Sequence, residues 1–538
     1  MSGPWSGRRL HFVGVGGAGM SGYARAARAL GAEVTGSDCA DSPYLERLRA
    51  DGVLEASIGH DAANVPTGEG VEVVYSSAVP PENPERVAAR ARAAAGERGV
   101  RDRPRAQLLG ELTALKRTIA VAGTHGKTTT SAMLVHVLRA SGEQPSWLIG
   151  GTPGEGLRNA HWGEGDLLVV EADESDRSML ELVVEIAVLT NVELDHHATF
   201  GSLGELRDAF REFLAGVSAG VVVWDRPELV ELAREALHLD GSESSAPEAP
   251  GEAKEAARSP AGDSQAEARE AARSSAGDSQ AGGPGTDPLQ VVPYDVPNPQ
   301  LVGGGSAFTW HGRDVHLSVP GAHNAINAAG ALEAALLAGA DPRRAIAGIE
   351  GFRGAGRRFQ LLGETVRGAT VYDDYAHHPT EVAATLSAAR TLAHRRLVAV
   401  FQPHLYSRTA LLAREFGVAL AQADVVVVLD VYPARERVAE YPGISGLLIA
   451  EAAADAARGR PVYWLPTFAG AEPVLRGLLD EGDVCLVMGA GDVDGLGGRL
   501  IGGEGEGAST SPDAPTRGTE APRPPRLGPQ PTRADDPQ

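Results

Sequence analysis

Residues 116–142 read KRTIAVAGTHGKTTTSAMLVHVLRASG. The apolar run ending at Ala122 has the composition of a short buried strand, and the stretch from Lys127 carries apolar residues at helical spacing. Between them lies Gly-Thr-His-Gly-Lys-Thr, the composition of a phosphate-binding loop. In such a loop backbone amides cradle phosphate oxygens, the lysine neutralises the β- and γ-phosphates, and the next hydroxyl ligates magnesium. Gly123, Thr124, His125, Gly126, Lys127, Thr128 and Thr129 are therefore the expected ATP contacts, with Lys127 as a catalytic cation and Thr128 as a metal ligand. The longer pattern G-x-x-x-x-G-K-[ST] requires glycine at 121, where Val121 stands, so the match is to the shorter form. A strand, phosphate loop and helix in this order predict an α/β domain around a parallel sheet.

Moving downstream, a strand from Asp166 to Val170 ends in EADESD (171–176), and another from Ile186 to Thr190 ends in NVELDHHATF. Parallel strands present such endings beside the loop. Magnesium takes hard oxygen ligands, which makes Glu171 the partner of Thr128, with Asp173 and Glu174 in reserve; a solvated acidic turn is the alternative. His196 and His197 stay open on chemistry alone, because imidazole is a soft ligand for magnesium. Further on, LSVPGAHNAINAAGALEAALLAGADP (317–342) gives a strand, a turn and an alanine-rich helix, with His323 and Asn324 at its start. Asn324 either caps that helix or contacts the nucleotide.

Upstream, Leu10–Val15 runs into GVGGAG and a helical stretch. Gly14, Gly16 and Gly19, with Gly17 between them, fit G-x-G-x-x-G, and Asp38 ends a second strand. Glycines there let the backbone approach a pyrophosphate at a helix N-terminus. NAD and a UDP-sugar both present that group, and a merely tight turn is also open. Beyond residue 351, GFRGAGRRFQLLG, TVYDDYAHHPTEVAATLSAAR and RRLVAVFQPHLYSRT alternate strands with helices, predicting a further parallel sheet. Arg357, Arg358, Tyr375, His377, His378, His404 and Arg408 follow its predicted strands.

Composition bounds the rest. A chain of 538 residues implies about three domains. Residues 241–287 have almost no large apolar side chain and repeat EAARSPAGDSQA as EAARSSAGDSQA, so a disordered insert is expected there, and a solvated tail over 502–538. The formal charge of -22 argues against nucleic-acid binding. The two cysteines, Cys39 and Cys485, make neither a disulfide framework nor a metal-binding spacing, which fits a reducing cytoplasm. No run approaches the roughly 18 apolar residues that span a bilayer. The expected division is an N-terminal domain over 1–115, a central domain over 116–353 and a C-terminal domain over 354–501.

The set GVGGAGMSG, GSD, GTHGKTTT, EADESD, NVELDH, PGAHNAINAAGA, GAGRRFQ, YDDYAHHPTE and FQPHLYSRT resembles the Mur ligases, in family order from about residue 8 to 500 outside the insert. The resemblance implies three α/β domains: an N-terminal Rossmann-like UDP-binding domain, a central P-loop ATPase and a C-terminal Rossmann-like domain. It implies an ATP- and magnesium-dependent ligation of L-alanine to UDP-N-acetylmuramate, or of a tripeptide in a recycling branch, by a cytoplasmic monomer or homodimer. It places UDP-sugar contacts on the glycine turn, Asp38, Ser76 and Tyr375, and magnesium on Thr128, Glu171 and His196. Adenine and phosphate contacts fall on His323, Asn324 and an arginine of the Gly-Arg-Arg motif, Arg357 or Arg358, and the amino-acid site on His377 and Arg408. It also implies domain closure. Ala198 and Leu405 depart from the family pattern, the first removing an acid and the second a basic residue.

Overall fold

The computed structural model describes residues 3–154, 156–195, 199–239 and 289–502. His196, the expected insert, and the tail beyond Gly502 lie outside the described residues. Three α/β units follow one another, as expected.

In the first, β1 (Arg9–Val13), β2 (Glu33–Asp38), β3 (Ala56–Ile58), β4 (Val71–Tyr75) and β5 (Arg101–Pro104) form a parallel sheet in the order β3-β2-β1-β4-β5. The strand order reverses beside β1, so the glycine turn leaving β1 lies at the switch point where such sheets bind ligands.

The central unit contains β6 (Arg117–Ala122), β7 (Ser146–Leu148), β8 (Ala160–His161), β9 (Leu167–Glu171), β10 (Val184–Leu189), β11 (Val217–Trp224) and β12 (Gln290–Tyr294), ordered β12-β11-β10-β6-β9-β7-β8. All pairings are parallel except β7 with β8. β6 is buried between β9 and β10, which explains why its residues 118–122 are buried on both faces. The phosphate loop therefore leaves the middle of the sheet, flanked by the acidic ends of β9 and β10. The helix Lys127–Ala140 packs one face together with helices Ala322–Leu337 and Pro342–Glu350 through Leu134, Leu138, Leu332 and Ile349. A second apolar cluster runs from Phe12 and Met20 of the first unit through Leu108 to Phe210 of the central one, joining them in one continuous core. An antiparallel sheet of β13 (Gln300–Val302), β14 (Gly305–Trp310) and β15 (Arg313–Leu317) closes this unit.

The last unit orders β16 (Gln360–Glu364), β17 (Thr370–Asp374), β18 (Leu397–Phe401), β19 (Val425–Val428), β20 (Val462–Trp464) and β21 (Val484–Met488) as β16-β17-β21-β18-β19-β20. Its two apolar clusters lie on opposite faces, so the sheet is wound on both sides. Within it only β16 runs antiparallel, returning directly to β17. Among the described residues no helix is long and apolar enough to cross a membrane.

Candidate active site

Two glycines of the phosphate loop have no substitute. Gly123 has φ +126, and a Cβ on it would lie 2.2 Å from Thr190 Oγ1. Gly126 has φ +85, and its Cβ would lie 2.8 Å from Asn327 Oδ1. The end of β10 grips the loop from behind: Thr190 Oγ1 and Asn191 Nδ2 donate to the His125 carbonyl at 2.6 and 2.9 Å, and His125 N donates to Asn191 Oδ1 at 2.9 Å. The helix that follows has no side-chain cap on Gly126, so its first amides stay available to an anion.

Lys127 Nζ donates to the Gly123 carbonyl at 2.5 Å and to Glu174 Oε2 at 2.7 Å. Burial works against its charge, but Glu174 and Asp173 more than compensate and raise its pKa, so it is a cation ready for phosphate. Thr128 Oγ1 donates to Glu171 Oε2 at 3.1 Å, while Glu171 Oε1 accepts from Gly150 N at 2.7 Å. Burial raises the Glu171 pKa, outweighing the Gly150 amide and the nearby charges of Lys127 and Arg358 that lower it. A hydroxyl and a half-buried carboxylate side by side are the hard oxygen donors that magnesium takes, so these residues fit that ion. The reserves are engaged elsewhere: Asp173 pairs with Arg105 at 3.3 Å and Glu174 with Lys127 at 2.7 Å.

Beside the loop lies a cavity of about 240 Å³ whose lining includes Thr129, Trp224, His323, Asn324, Asn327 and Arg358. His323 is half-buried, and desolvation lowers it to about 4, a neutral ring over the physiological range. Asn324 does not cap its helix; Gly321 is the cap residue, and Asn324 Nδ2 donates to the Pro320 carbonyl at 2.7 Å. The adjacent arginines separate. Arg358 reaches Thr128 Oγ1 at 3.4 Å, whereas Arg357 turns away to Asp373 at 3.1 Å and to the Gly489 carbonyl at 2.9 Å. Of the two arginines expected at ATP, Arg358 is the one that reaches the phosphate loop here, while Arg357, with its left-handed backbone at φ 57, lies against the last sheet. Tyr375 sits against both guanidinium groups, 5.1 and 4.9 Å from their carbons.

In the first unit, Gly14 takes φ +79 and Gly17 precedes the helix Ala18–Ala29 without a side-chain cap. Asp38 Oδ2 accepts from Gly16 N at 2.8 Å, so this acid braces the turn itself. A Cβ on Gly16 would meet Asp38 at 2.9 Å, one on Gly14 would lie 4.0 Å from Ser76 Oγ, and one on Gly19 would lie 3.2 Å from Arg105 Nη1. These groups converge at the switch point of the sheet.

Besides Arg358 on Thr128, the C-terminal unit meets the central one through side chains of its first helices. Arg408 Nη2 donates to Asp195 at 2.9 and 3.0 Å, both side chains 4% exposed, and Arg408 Nη1 faces His404 Nδ1 at 3.3 Å. Sequence reading assigned Arg408 to a substrate carboxylate; here its guanidinium is engaged with Asp195 and joins two domains. Thr380 Oγ1 donates to Glu193 Oε1 at 2.7 Å. Finally, His125 of the loop sits between Glu193 at 3.0 Å and Glu381 at 3.2 Å. Both ring nitrogens face carboxylates, so both carry protons.

Burial alone would lower the His125 pKa, but the two carboxylates raise it to about 9. A raised pKa contributes stabilisation in full below the ordinary imidazole value and loses it as pH rises through the folded value. Closure should therefore weaken with a midpoint near 9, the groups facing His125 being Glu193, Glu381 and His378. Small-angle scattering should show expansion with that midpoint, moving lower in Glu381→Gln; a radius flat with pH in both proteins would refute this.

Three family models match the chain: "Mur ligase family, catalytic domain" over 9–117, "Mur ligase middle domain" over 121–246, and "Mur ligase, glutamate ligase domain" over 357–491. The UDP-N-acetylmuramate--L-alanine ligase of Mycobacterium sp. (strain JLS) is 42% identical, over 92% of this chain and 94% of its own length. The chain belongs to the Mur ligase family. The corresponding ligase of Nocardia farcinica is 40% identical over 92% of this chain and 95% of its own. The solved UDP-N-acetylmuramate-alanine ligase of Thermotoga maritima superposes with a TM-score of 0.69 at 26% identity, over 92% of this chain and 98% of that one. A murein peptide ligase from Psychrobacter arcticus shares the fold, with a TM-score of 0.59 at 22% identity over 92% of this chain and 98% of that one.

Within this Mur ligase, Glu193, Asp195, Asn327 and Glu381 belong to the site although sequence reading passed over them. Glu193 and Asp195 stood inside the quoted NVELDH, just past a strand, and Glu381 inside YDDYAHHPTE, in the first turn of the helix Pro379–Ala389. Asn327 lies one helical turn beyond His323, a spacing that puts both on one face.

Proposed function

We propose that this Mur ligase joins L-alanine to the lactyl carboxylate of UDP-N-acetylmuramate with cleavage of ATP to ADP and phosphate, a step of peptidoglycan precursor synthesis. The observation that carries this reading is the 42% identity, over nearly the whole of both chains, to a ligase with that substrate pair. The geometry supports it by placing a phosphate loop, an oxygen-donor pair and a histidine cluster at one junction of three domains.

The lactyl carboxylate attacks the γ-phosphorus and ADP departs. Lys127 and the amides of the helix Lys127–Ala140 hold the charge that spreads over the transferring group. Thr128 and Glu171, with His196, would hold magnesium, which neutralises β- and γ-phosphate oxygens when bound. The cavity walled by Trp224, His323 and Arg358 takes the nucleotide, and the glycine turn with Ser76 takes the UDP pyrophosphate, Asp38 bracing the turn. The amine of alanine then attacks the acyl phosphate: the C–N bond forms, the C–O bond to phosphate breaks with its electron pair, and the proton leaves nitrogen. His377 is the acceptor of that proton. Its Nδ1 faces the Tyr375 carbonyl at 3.0 Å and Glu381 at 3.2 Å, both acceptors, so Nδ1 carries the hydrogen and Nε2 is left with its lone pair. Burial lowers its pKa to about 4, which keeps the ring neutral in use. Closure of the C-terminal domain excludes water that would hydrolyse the acyl phosphate. The reading includes a cytoplasmic enzyme acting as a monomer or homodimer.

Phosphate release by the purified protein with ATP, magnesium and UDP-N-acetylmuramate should require L-alanine. Release with a murein tripeptide but not with alanine would move the protein to the recycling reaction, and silence with both would sink the ligase reading.

A further inference from the structure

One side chain touches both halves of the site. Glu381, on the first turn of the helix Pro379–Ala389, presents Oε1 to His125 Nδ1 at 3.2 Å. Its Oε2 accepts from His377 N at 3.0 Å and His378 N at 3.3 Å and lies 3.2 Å from His377 Nδ1. The carboxylate thus bridges the phosphate loop of the central domain and the histidine of the C-terminal domain, across 256 residues of sequence.

We propose that Glu381 is the positioning residue of this Mur ligase, fixing the tautomer and direction of His377 for amide formation and tying that setting to the phosphate loop through His125. The proposal rests on the acyl-phosphate reading above. A carboxylate beside Nδ1 does for His377 what an orienting acid does for any imidazole base: it keeps hydrogen on the near nitrogen and the lone pair on the far one. The second contact adds a condition. His125 and Glu381 belong to different domains, so their contact holds the carboxylate in place where the loop and the amine site meet. The charged and titratable groups facing His377 are Glu381, Arg408, Asp195, His404 and Tyr375. Of these, Glu381 and Tyr375 lie against its Nδ1 side, Tyr375 through its carbonyl.

Glu381→Gln separates this role from a structural one. Glu381 also completes a capping box with His378, and glutamine serves that box as well as glutamate does, so the helix start is kept. Hydroxylamine, a neutral nucleophile that needs no strong base, can replace alanine and trap the acyl phosphate as a hydroxamate. The expected result is alanine-dependent turnover lower by about 10²-fold, with KM for ATP and the rate of hydroxamate formation unchanged. His377→Asn should show the same split, and the double variant should be no worse than His377→Asn alone. Loss of hydroxamate formation in step with alanine turnover would place Glu381 on the nucleotide side and overturn the proposal, as would penalties that add in the double variant. If the wild-type protein formed no hydroxamate although it made product, the acyl-phosphate reading itself would fail. Should Glu381→Gln melt well below His377→Asn, Glu381→Asp carries the same expectation, since it keeps the charge but withdraws it from both histidines.

Discussion

Lys127→Ala is expected to lower phosphate release in the complete reaction by about 10²–10³-fold, the range for removing one preorganised charge from a transition state. The magnitude follows from how little other positive charge on the loop is free for phosphate, since the His125 imidazolium is held between Glu193 and Glu381. The amides of Gly126 and the first helical turn are partial charges, and Arg358 reaches the site only as far as Thr128, at 3.4 Å. Lys127 is anchored to the loop by the Gly123 and Thr124 carbonyls at 2.5 and 3.2 Å. Those contacts aim the ammonium along the loop before nucleotide arrives, so little reorganisation is needed when phosphate takes over from Glu174. The loss should fall on kcat more than on KM, because charge on the transferring group is greatest in the transition state. Lys127→Arg should not restore activity: a planar guanidinium cannot enter a nest shaped for a compact ammonium. Single-turnover assays with saturating ATP would read this, and an alanine variant retaining more than a tenth of wild-type kcat would contradict it.

What the sequence disclosed and what it withheld divide along chain separation. The phosphate loop, the glycine turn of the first unit and the strand–helix alternation are local, because each rests on residues within a few positions of one another whose backbone requirements only glycine, lysine or a hydroxyl meets. Thr128 and Glu171 lie side by side because parallel strands β6 and β9 bring the ends of their runs together, Val121 opposite Glu171. The interdomain contacts could not be read this way. Arg408 meets Asp195 across 213 residues and His125 meets Glu381 across 256, and nothing in either stretch marks the partner. Arg357 and Arg358 could not be told apart either: one left-handed residue sends adjacent side chains to different domains. The antiparallel β16 escaped because a strand's direction depends on its connection, not on its composition. His196 followed from resemblance alone and lies outside the described residues.

The pairing of Arg408 with Asp195 makes the second large prediction, because it sets two roles for one arginine against each other. Each side chain is 4% exposed. Removing one partner of a buried, doubly hydrogen-bonded pair costs about 3–5 kcal/mol. If the pair exists only when the C-terminal and central domains are closed, that cost falls on the closed state, and about 1.4 kcal/mol per decade makes it a shift of roughly a hundredfold to several thousandfold toward open. Arg408→Ala should therefore lower kcat by about that factor while leaving ATP affinity of the central domain nearly intact, and scattering should report a larger particle. Asp195→Asn should reproduce the effect, and Asp195→Asn with Arg408→Ala should cost little more than either alone, since the pair is lost only once. An arginine that instead anchors the alanine carboxylate predicts another pattern. Arg408→Ala would then raise KM for alanine chiefly, Asp195→Asn would not imitate it, and the particle would stay compact. The double-mutant cycle decides between them: strong coupling with expansion assigns Arg408 to closure, whereas additivity with an alanine-specific KM effect returns it to the substrate.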